Sequence, residues 1–476
     1  MNSQKAYEIM LSIVQNIDEY SSSFIIHSVN VWNLFLQSLY DFLTADRKMF
    51  EKRSYNKEFL AAMLKNSLVK GDIKSISSSE ILSFGPSTDR RYFEGYMFHI
   101  FLDWLFLPEV GLNTNRIVFI ESISPSVPHH FKNSYSKNLI FEEPIMLKIL
   151  FTAKFIEQRV KTAVRRIFEQ IKFPDVVDKE EFTKVFSKQI ARYFATIRVY
   201  RKLLKKTSVK YIFMINYYST TRRAIVKVAK DLGIKVVEIQ HGLISPTHVA
   251  YIQKDPKNFD DVPDYVLLFG DFYKDIILNH SELFREDQLF VVGNYYIETV
   301  KNTPPDLPDD LKKLKKGKKP IILLTSQTIF SRDVYKPYIE KILNTRKYHL
   351  IIKNHPGDLK DKFKIYENHP DVTVISDPSI SLYELLKIVD IHITVNSTSA
   401  IEALMFGVPS LILRYMGYEK VIQFLIDGKN VIEVDVDNLI ENLEKLRKIR
   451  VEDIGNKFLR SNFLDNIKVF LQVLGG

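Results

Sequence analysis

Two short stretches of this 476-residue chain combine residue types that can hold an anion. The apolar run His349–Lys353 is followed by Asn354-His355-Pro356-Gly357-Asp358, so Lys353 and His355 stand where a strand would end and Pro356 sets the turn. A lysine and a histidine delivered there can donate charge-assisted hydrogen bonds to phosphate oxygens. For His355 the alternative is a ring satisfied by its own turn. Further on, Ile391–Val395 leads into Asn396-Ser397-Thr398-Ser399 and then Glu402, Gly407 and Pro409. Small hydroxyl residues at a helix start leave backbone N–H groups open, add hydroxyls of their own, and sit at the positive end of the helix dipole. Capping by Ser397 or Thr398 is expected with or without a ligand. Glu402, one turn along, faces the same edge and can accept hydrogen bonds from ribose hydroxyls.

A third cluster follows the run Lys235–Ile239: Gln240-His241-Gly242, with His248 and Tyr251 after it. A histidine near neutral pH can take a proton from a hydroxyl, so His241 is a candidate general base. A buried histidine that orients a loop is the plainer alternative. Glu121, just after Ile117–Ile120, is a second candidate base. Arg90, Arg91, His129 and His130 lie in loops where they could meet an anionic acceptor, although surface or packing roles suit them as well. Thr325-Ser326-Gln327-Thr328 follows Pro320–Leu324, and Ser326 and Gln327 could touch a pyrophosphate. Tyr217, Tyr218 and Ser219 follow Tyr211–Ile215 and stand out by position alone.

The elements that must position these residues can be read from periodicity. Apolar spacing predicts helices through Tyr7–Ile17, Val31–Leu43 and Phe93–Leu107, and again over 145–207 with a break at Pro174. From Tyr211 onward strands and helices alternate, as in a parallel sheet with crossover helices. Residues 302–319 (NTPPDLPDDLKKLKKGKK) read as a linker. A second alternation follows it. The expected organisation is α/β: a Rossmann-like first domain with helical elaboration over 1–301, a second over 320–454, and a helix through 455–476 free to pack back on the first. Two such sheets would face a cleft, with ligands beyond the strands' carboxyl ends.

Taken together, a strand with Lys-x-His-Pro and a strand with Ser-Thr-Ser, a helix and Glu-x4-Gly-x-Pro are more specific than either alone. Residues 320–440 resemble the donor-binding half of GT-B-fold glycosyltransferases. The pattern is similar to that of bacterial capsular-polysaccharide enzymes, polysialyl- and Kdo-transferase-like groups, and teichoic-acid glycerophosphotransferases. The resemblance extends moderately over 210–300 and loosely over the first 200 residues. It implies that His355-Pro356 and Ser397-Thr398-Ser399 hold nucleotide phosphates, that Glu402 binds the ribose, and that His241 lies at the cleft. The function it implies is an inverting, metal-independent transfer from a nucleotide-sugar donor to a glycan or lipid-linked acceptor in cell-envelope biosynthesis. A polyol-phosphate transferase or a sugar-nucleotide epimerase shares the fold. A non-catalytic nucleic-acid or membrane-binding protein is the alternative of another class.

Composition narrows the field further. With no cysteine there is neither a disulfide nor a thiolate metal site, as suits a reducing cytosol. The net charge of +10 admits nucleic acid, an anionic membrane surface or a polyanionic substrate as partner. Its one dense basic run, Lys312–Lys319, reads as a solvated segment. The candidate spans Phe24–Leu43 and Met97–Leu107 carry polar interruptions, and the first ten residues lack signal-peptide character, so a cytoplasmic protein, peripheral at most on the inner leaflet, is expected. Asp435-Val436-Asp437 has metal-site spacing but stands where Asp caps a helix, and no metal or cofactor is expected. No Walker loop, Gly-x-Gly-x-x-Gly or Gly-x-Ser-x-Gly is present.

Overall fold

The computed structural model describes residues 3–15, 24–44, 75–122, 133–355, 362–377, 379–415, 422–448 and 454–475. The chain divides into two compact units: residues 1–268, 274–292 and 464–476, and residues 269–273 and 293–463.

The first unit is built on seven strands: β1 (Ile81–Pro86), β2 (Ile117–Ser122), β3 (Leu139–Phe141), β4 (Tyr211–Met214), β5 (Lys235–Ile239), β6 (Tyr265–Leu268) and β7 (Leu289–Val291). They lie in the order β7-β6-β5-β4-β1-β2-β3, and every pair is parallel. Because helices cover both faces, the strands read as continuous apolar runs rather than alternating ones. β1 and β2 are buried along almost their whole length.

The helical region ahead of this sheet includes α1 (Ser3–Gln15) and α2 (Trp32–Thr44). α2 buries Trp32, Phe35 and Leu39, and Asn33 donates to the Asn258 carbonyl at 2.8 Å and to Asp261 at 2.7 Å. Two long helices, α3 (Glu143–Glu169) and α4 (Lys179–Leu204), pack through stacked Phe168, Phe182 and Phe186, with Phe35 of α2 edge-on to the group. α5 (Thr220–Asp231) follows β4.

The second unit holds six parallel strands: β8 (Ile321–Thr325), β9 (His349–Lys353), β10 (Val372–Ile375), β11 (Ile391–Thr394), β12 (Ser410–Leu413) and β13 (Val431–Val434). Their order, β10-β9-β8-β11-β12-β13, is that of the doubly wound Rossmann sheet, 3-2-1-4-5-6. The first sheet repeats it with one strand more. The core of the second unit lies on both sides of β8 and β9, with Ile322, Leu324 and Ile352 on one face and Ile321, Leu323 and Ile351 on the other. α6 (Ser399–Met405) follows β11, and α7 (Phe463–Gly475) closes the chain.

Three expectations are corrected. The helix over Phe93–Leu107 is instead a hairpin, Arg90–Phe93 against Tyr96–His99, followed by short 3-10 turns. Glu94 and Gly95, at φ +49° and +87°, form the tight connection that right-twisted hairpins favour. β3 and a two-residue hairpin, Ile25–Ile26 with Val29–Asn30, were not anticipated. Within 302–319 a short helix, Asp309–Leu314, seats Leu311 in the second unit's core beside Leu307. Residues 293–301 belong to that unit too, since Tyr296 packs on Tyr383. Phe470 of α7 packs on Tyr265 and Phe290 of the first unit.

Gly270 is required by close approach, because a Cβ there would run into the backbone of Lys457 and Phe458. Gly270→Ala should therefore lower stability by about 1–3 kcal/mol, the usual penalty of overpacking against backbone. A thermal melt of the purified variant reads this directly, and an unchanged midpoint would refute it.

Candidate functional site

In the second unit, β8 is hydrogen-bonded to β9 on one side and β11 on the other, with Thr325 opposite Lys353 and Leu324 opposite Ile393. The three loops leaving these strands are therefore neighbours, and they carry most of the anticipated residues. Ser326 and Gln327 stitch them together. Ser326 Oγ accepts from the His355 N–H at 3.0 Å, and Gln327 Oε1 accepts from the Asn396 N–H at 2.8 Å. Lys362 donates to the Gln327 carbonyl at 2.8 Å. Both side chains anticipated as donor contacts thus hold the loops in register, and Ser326 is buried.

Lys353 is 8% exposed, and its Nζ donates to the Asp377 carbonyl at 2.7 Å. Burial pulls its pKa below the usual lysine range, with Asp377 opposing. Among the described residues no carboxylate forms an ion pair with it, so its charge is only partly answered. His355 is exposed at the strand end, while Pro356 and Gly357 lie outside the described residues. Two further side chains, not selected as site residues from sequence, matter here. The amide oxygens of Asn354 and Asn396 are buried and have no hydrogen-bond partner. An unanswered buried acceptor costs about 1–3 kcal/mol, so a donor arriving at this edge would be welcome.

The hydroxyl segment after β11 divides. Thr398 is exposed and caps α6 through its backbone only, without a side-chain bond. Ser397 Oγ accepts from the Ser399 N–H at 3.2 Å. Ser399 turns inward, where its hydroxyl meets Thr325 Oγ1 at 2.9 Å and His392 Nε2 at 3.2 Å. Its role as a phosphate contact is therefore corrected to one inside the sheet's rim. With α6 only seven residues long, a dipole contributes little. Glu402 accepts from the Tyr383 hydroxyl at 3.0 Å, and Tyr383 stacks on Phe406. Asp435 accepts from the N–H groups of Asp437 and Asn438 and lies 3.5 Å from Arg414.

In the first unit the end of β5 presents His241. Its Nε2 is 3.4 Å from the Tyr218 hydroxyl, and its Nδ1 is 3.9 Å from Glu238 and has no hydrogen-bond partner. Glu238 accepts from the N–H groups of Asn216 and Tyr217, each at 3.1 Å, and from the Tyr251 hydroxyl at 2.9 Å. Burial pushes Glu238 up to about 8 and His241 down to about 4, so the histidine is neutral at pH 7. His248 packs against Tyr218 and Tyr251 and is likewise held down to about 4, mainly by burial. Gln240 is buried and closes the turn through its amide to the Gly242 carbonyl at 2.9 Å. Sequence reasoning passed over Glu238 because one carboxylate inside an apolar strand gives no spacing signal.

Glu121 is corrected from candidate base to counter-ion. Fully buried, it pairs with Arg90, which also binds Asp103 at 3.0 Å and Ser136 at 3.1 Å. The Arg90 guanidinium is consumed inside the fold by this cluster. Arg91 donates to the backbone of Thr88, and His129 and His130 lie outside the described residues.

A cavity of about 400 Å³ opens in the first unit at the ends of β1, β2, β4 and β5, bordered by Asp89, Ser122, Asn216 and His241 among others. A larger one, about 930 Å³, lies at the opposite, amino end of the second sheet beside Pro320, Asp390 and Pro409. Lysines of the basic run line that second cavity, away from every strand-end motif. Among the described residues no helix is long and apolar enough to cross a membrane.

Solved structures with a similar course of chain include the glycotransferase of kitacinnamycin, at 12% identity with a TM-score of 0.50 over 84% of this chain and 99% of that one. The chain carries the GT-B fold. A protein of Listeria monocytogenes assigned as a UDP-N-acetylglucosamine 2-epimerase matches at 13% identity and TM-score 0.49, covering 83% of this chain and 96% of that one. A wall teichoic acid polymerase matches at 11% identity and TM-score 0.43, covering 93% and 97%. No protein-family model and no curated protein sequence matches the chain. At these identities the likeness concerns the fold.

His392 sets the inner wall of the second unit's edge, bonding Ser410 at 3.0 Å and Thr325 at 2.9 Å, and burial drives its pKa to about 3. The folded state therefore keeps His392 neutral while the unfolded chain protonates near 6.5, so its contribution is present above pH 6.5 and lost as pH falls. The stability gap between wild type and His392→Gln should narrow by about 1.4 kcal/mol per pH unit below 6.5. Urea denaturation at pH 7.5 and 5 measures that gap, and a constant gap would contradict the assignment.

Proposed function

We propose that the chain is a GT-B-type glycosyltransferase that takes a nucleotide-activated sugar on its second unit and passes the sugar to a surface polysaccharide or glycolipid. One observation carries the proposal. At the point where strand order reverses in the second sheet, the loops after β8, β9 and β11 bring together donors that a phosphate can use: the Lys353 ammonium, the exposed His355 ring and the Thr398 hydroxyl. In open α/β sheets this is where phosphate-bearing ligands bind. The fold likeness to a glycotransferase at TM-score 0.50 agrees with the proposal.

In this reading Lys353, His355, Ser397 and Thr398 meet the diphosphate or monophosphate, and Glu402, oriented by Tyr383, takes the ribose. Ser326 and Gln327 act from behind by holding the loops. Fixed donors and a cation answer the charge that develops on the leaving phosphate, a role otherwise given to a divalent ion. On the first unit His241 is the base. It accepts the acceptor's hydroxyl proton as the oxygen attacks the anomeric carbon, and the C–O bond to phosphate breaks with its electron pair leaving on the nucleotide. Held neutral, His241 is free to accept a proton, and Glu238 stands 3.9 Å behind Nδ1. Direct displacement inverts the anomeric centre.

Thermal-shift measurements with UDP-, CMP-, CDP-, GDP- and dTDP-sugars, CDP-glycerol included, test the donor assignment. One nucleotide should raise the melting temperature, and the rise should vanish in His355→Ala and Ser397→Ala. His241→Ala should keep that rise while turnover falls by about 10²–10⁴, the usual worth of a general base. Loss of nucleotide affinity in His241→Ala would remove the base assignment. Turnover of CDP-glycerol alone, or an epimerised sugar nucleotide as product, would redirect the reading to a polyol-phosphate transferase or an epimerase.

A further inference from the structure

We propose that the 400 Å³ cavity of the first unit is the acceptor subsite, that Asp89 is its recognition residue, and that it takes an uncharged, polyhydroxylated sugar or polyol rather than an anionic one. The proposal rests on the glycosyltransferase reading and names the class of its second substrate.

The cavity lies within the first unit, at the carboxyl ends of the paired strands β1 and β4, and its volume is in the range of roughly 300–1,000 Å³ typical of small-molecule sites. Its charges can be counted. Arg222 lines it but is bound at both guanidinium ends to Glu142, leaving a neutral pair. His241 is neutral at pH 7. Beneath the same edge the single Arg90 guanidinium faces two carboxylates, Glu121 and Asp103, so this cluster offers no unpaired positive charge. Asp89 remains. Among the described residues it forms no ion pair, and the Thr88 hydroxyl at 3.5 Å is the contact its carboxylate makes. Arg91, the nearest cation on the same hairpin, turns its guanidinium onto the carbonyls of Thr88 and Arg90. Among the described residues the cavity thus offers an unpaired negative charge and no unpaired positive one, which disfavours a phosphate, sulfate or sialic acid.

The hydrogen-bonding inventory leads to the same class. Asp89 accepts, and Asn216 Oδ1 is buried with no partner. Asn216 holds φ at +56°, a conformation costly outside glycine, while Glu238 fixes its N–H at 3.1 Å. Ser122 and Ser219 add hydroxyls at the rim. A lining rich in acceptors is satisfied by a ligand rich in O–H donors, and an ionised carboxylate or phosphate group adds no donor of its own. Phe84, Met146 and Ile215 supply the apolar patch on which a sugar face can rest. Burial raises Asp89 to about 6, with Arg91 and Thr88 opposing, so near neutral pH it is mostly the ionised acceptor that a hydroxyl seeks.

The test uses the full chain, with saturation-transfer NMR and titration of four probes: methyl β-galactopyranoside and methyl α-glucopyranoside, which are neutral, and N-acetylneuraminic acid and glycerol 3-phosphate, which are anionic. At least one neutral glycoside should bind the wild type about tenfold more tightly than either anion. Asp89→Asn, isosteric and uncharged, should weaken it about tenfold, as expected for losing a charged hydrogen bond. The same variant should strengthen anion binding, an effect that damage to the fold would not produce. Asp89→Ala serves as the second variant, with nucleotide-induced stabilisation retained in both as the check on folding. Equal or tighter binding of the anions by the wild type, no binding of either neutral glycoside, or no effect of Asp89→Asn would overturn the proposal. If glycosides bind as expected while no nucleotide sugar stabilises the protein, the donor assignment fails and the cavity assignment stands.

Discussion

A strand buried on both faces can offer polar chemistry only where it ends. In both sheets the chain begins at the centre, lays down two strands on one side, and then crosses to the other, so β1 is flanked by β2 and β4, and β8 by β9 and β11. The connections leaving the central pair turn to opposite faces and open a gap at the carboxyl edge. Every residue given a chemical role here stands at one of those two gaps. The core that enforces the arrangement is aliphatic: Ile321–Leu324 and Leu350–Ile352 are almost wholly inaccessible, each side chain worth about 1.5–3 kcal/mol on burial.

The two gaps are electrostatically unlike. Around the first, each buried arginine is paired: Arg90 with Asp103 and Glu121, Arg222 with Glu142, Arg223 with Asp261. Ion pairs of this kind contribute little net stability, yet losing one partner strands a buried charge, so they act as rigid supports. Asp89 escapes that pairing. At the second gap the buried cation is Lys353, which donates to the Asp377 carbonyl.

Fold class was legible because two strand–helix alternations carry period and punctuation on their surface. Strand ends were nearly right, since an apolar run in a parallel sheet stops where polar loop residues begin. Phe93–Leu107, which includes the second strand of the hairpin, reads as helix because its aromatic and apolar residues also satisfy three- and four-residue spacing, and the decisive signal was the single Glu94-Gly95 turn. The short helix inside 302–319 was hidden in a charged, proline-rich stretch whose few apolar residues are Leu307 and Leu311, buried in the core, and Leu314, half-buried against it.

Residue types and local order alone identified the edges: Lys353-x-His355, Asn396 to Ser399, and Gln240-His241-Gly242 all emerge at strand ends. Which of their atoms remain available could not be read there, because that depends on neighbours far along the chain. Ser399 is claimed by His392 and Thr325, Glu121 by Arg90, and His241 is backed by Glu238. Asp89 gained its place by exclusion, since the described arginines near it bind other partners. Local sequence can specify where a polar group leaves the backbone, but its pairing is a many-body outcome of packing, and only the folded chain decides it.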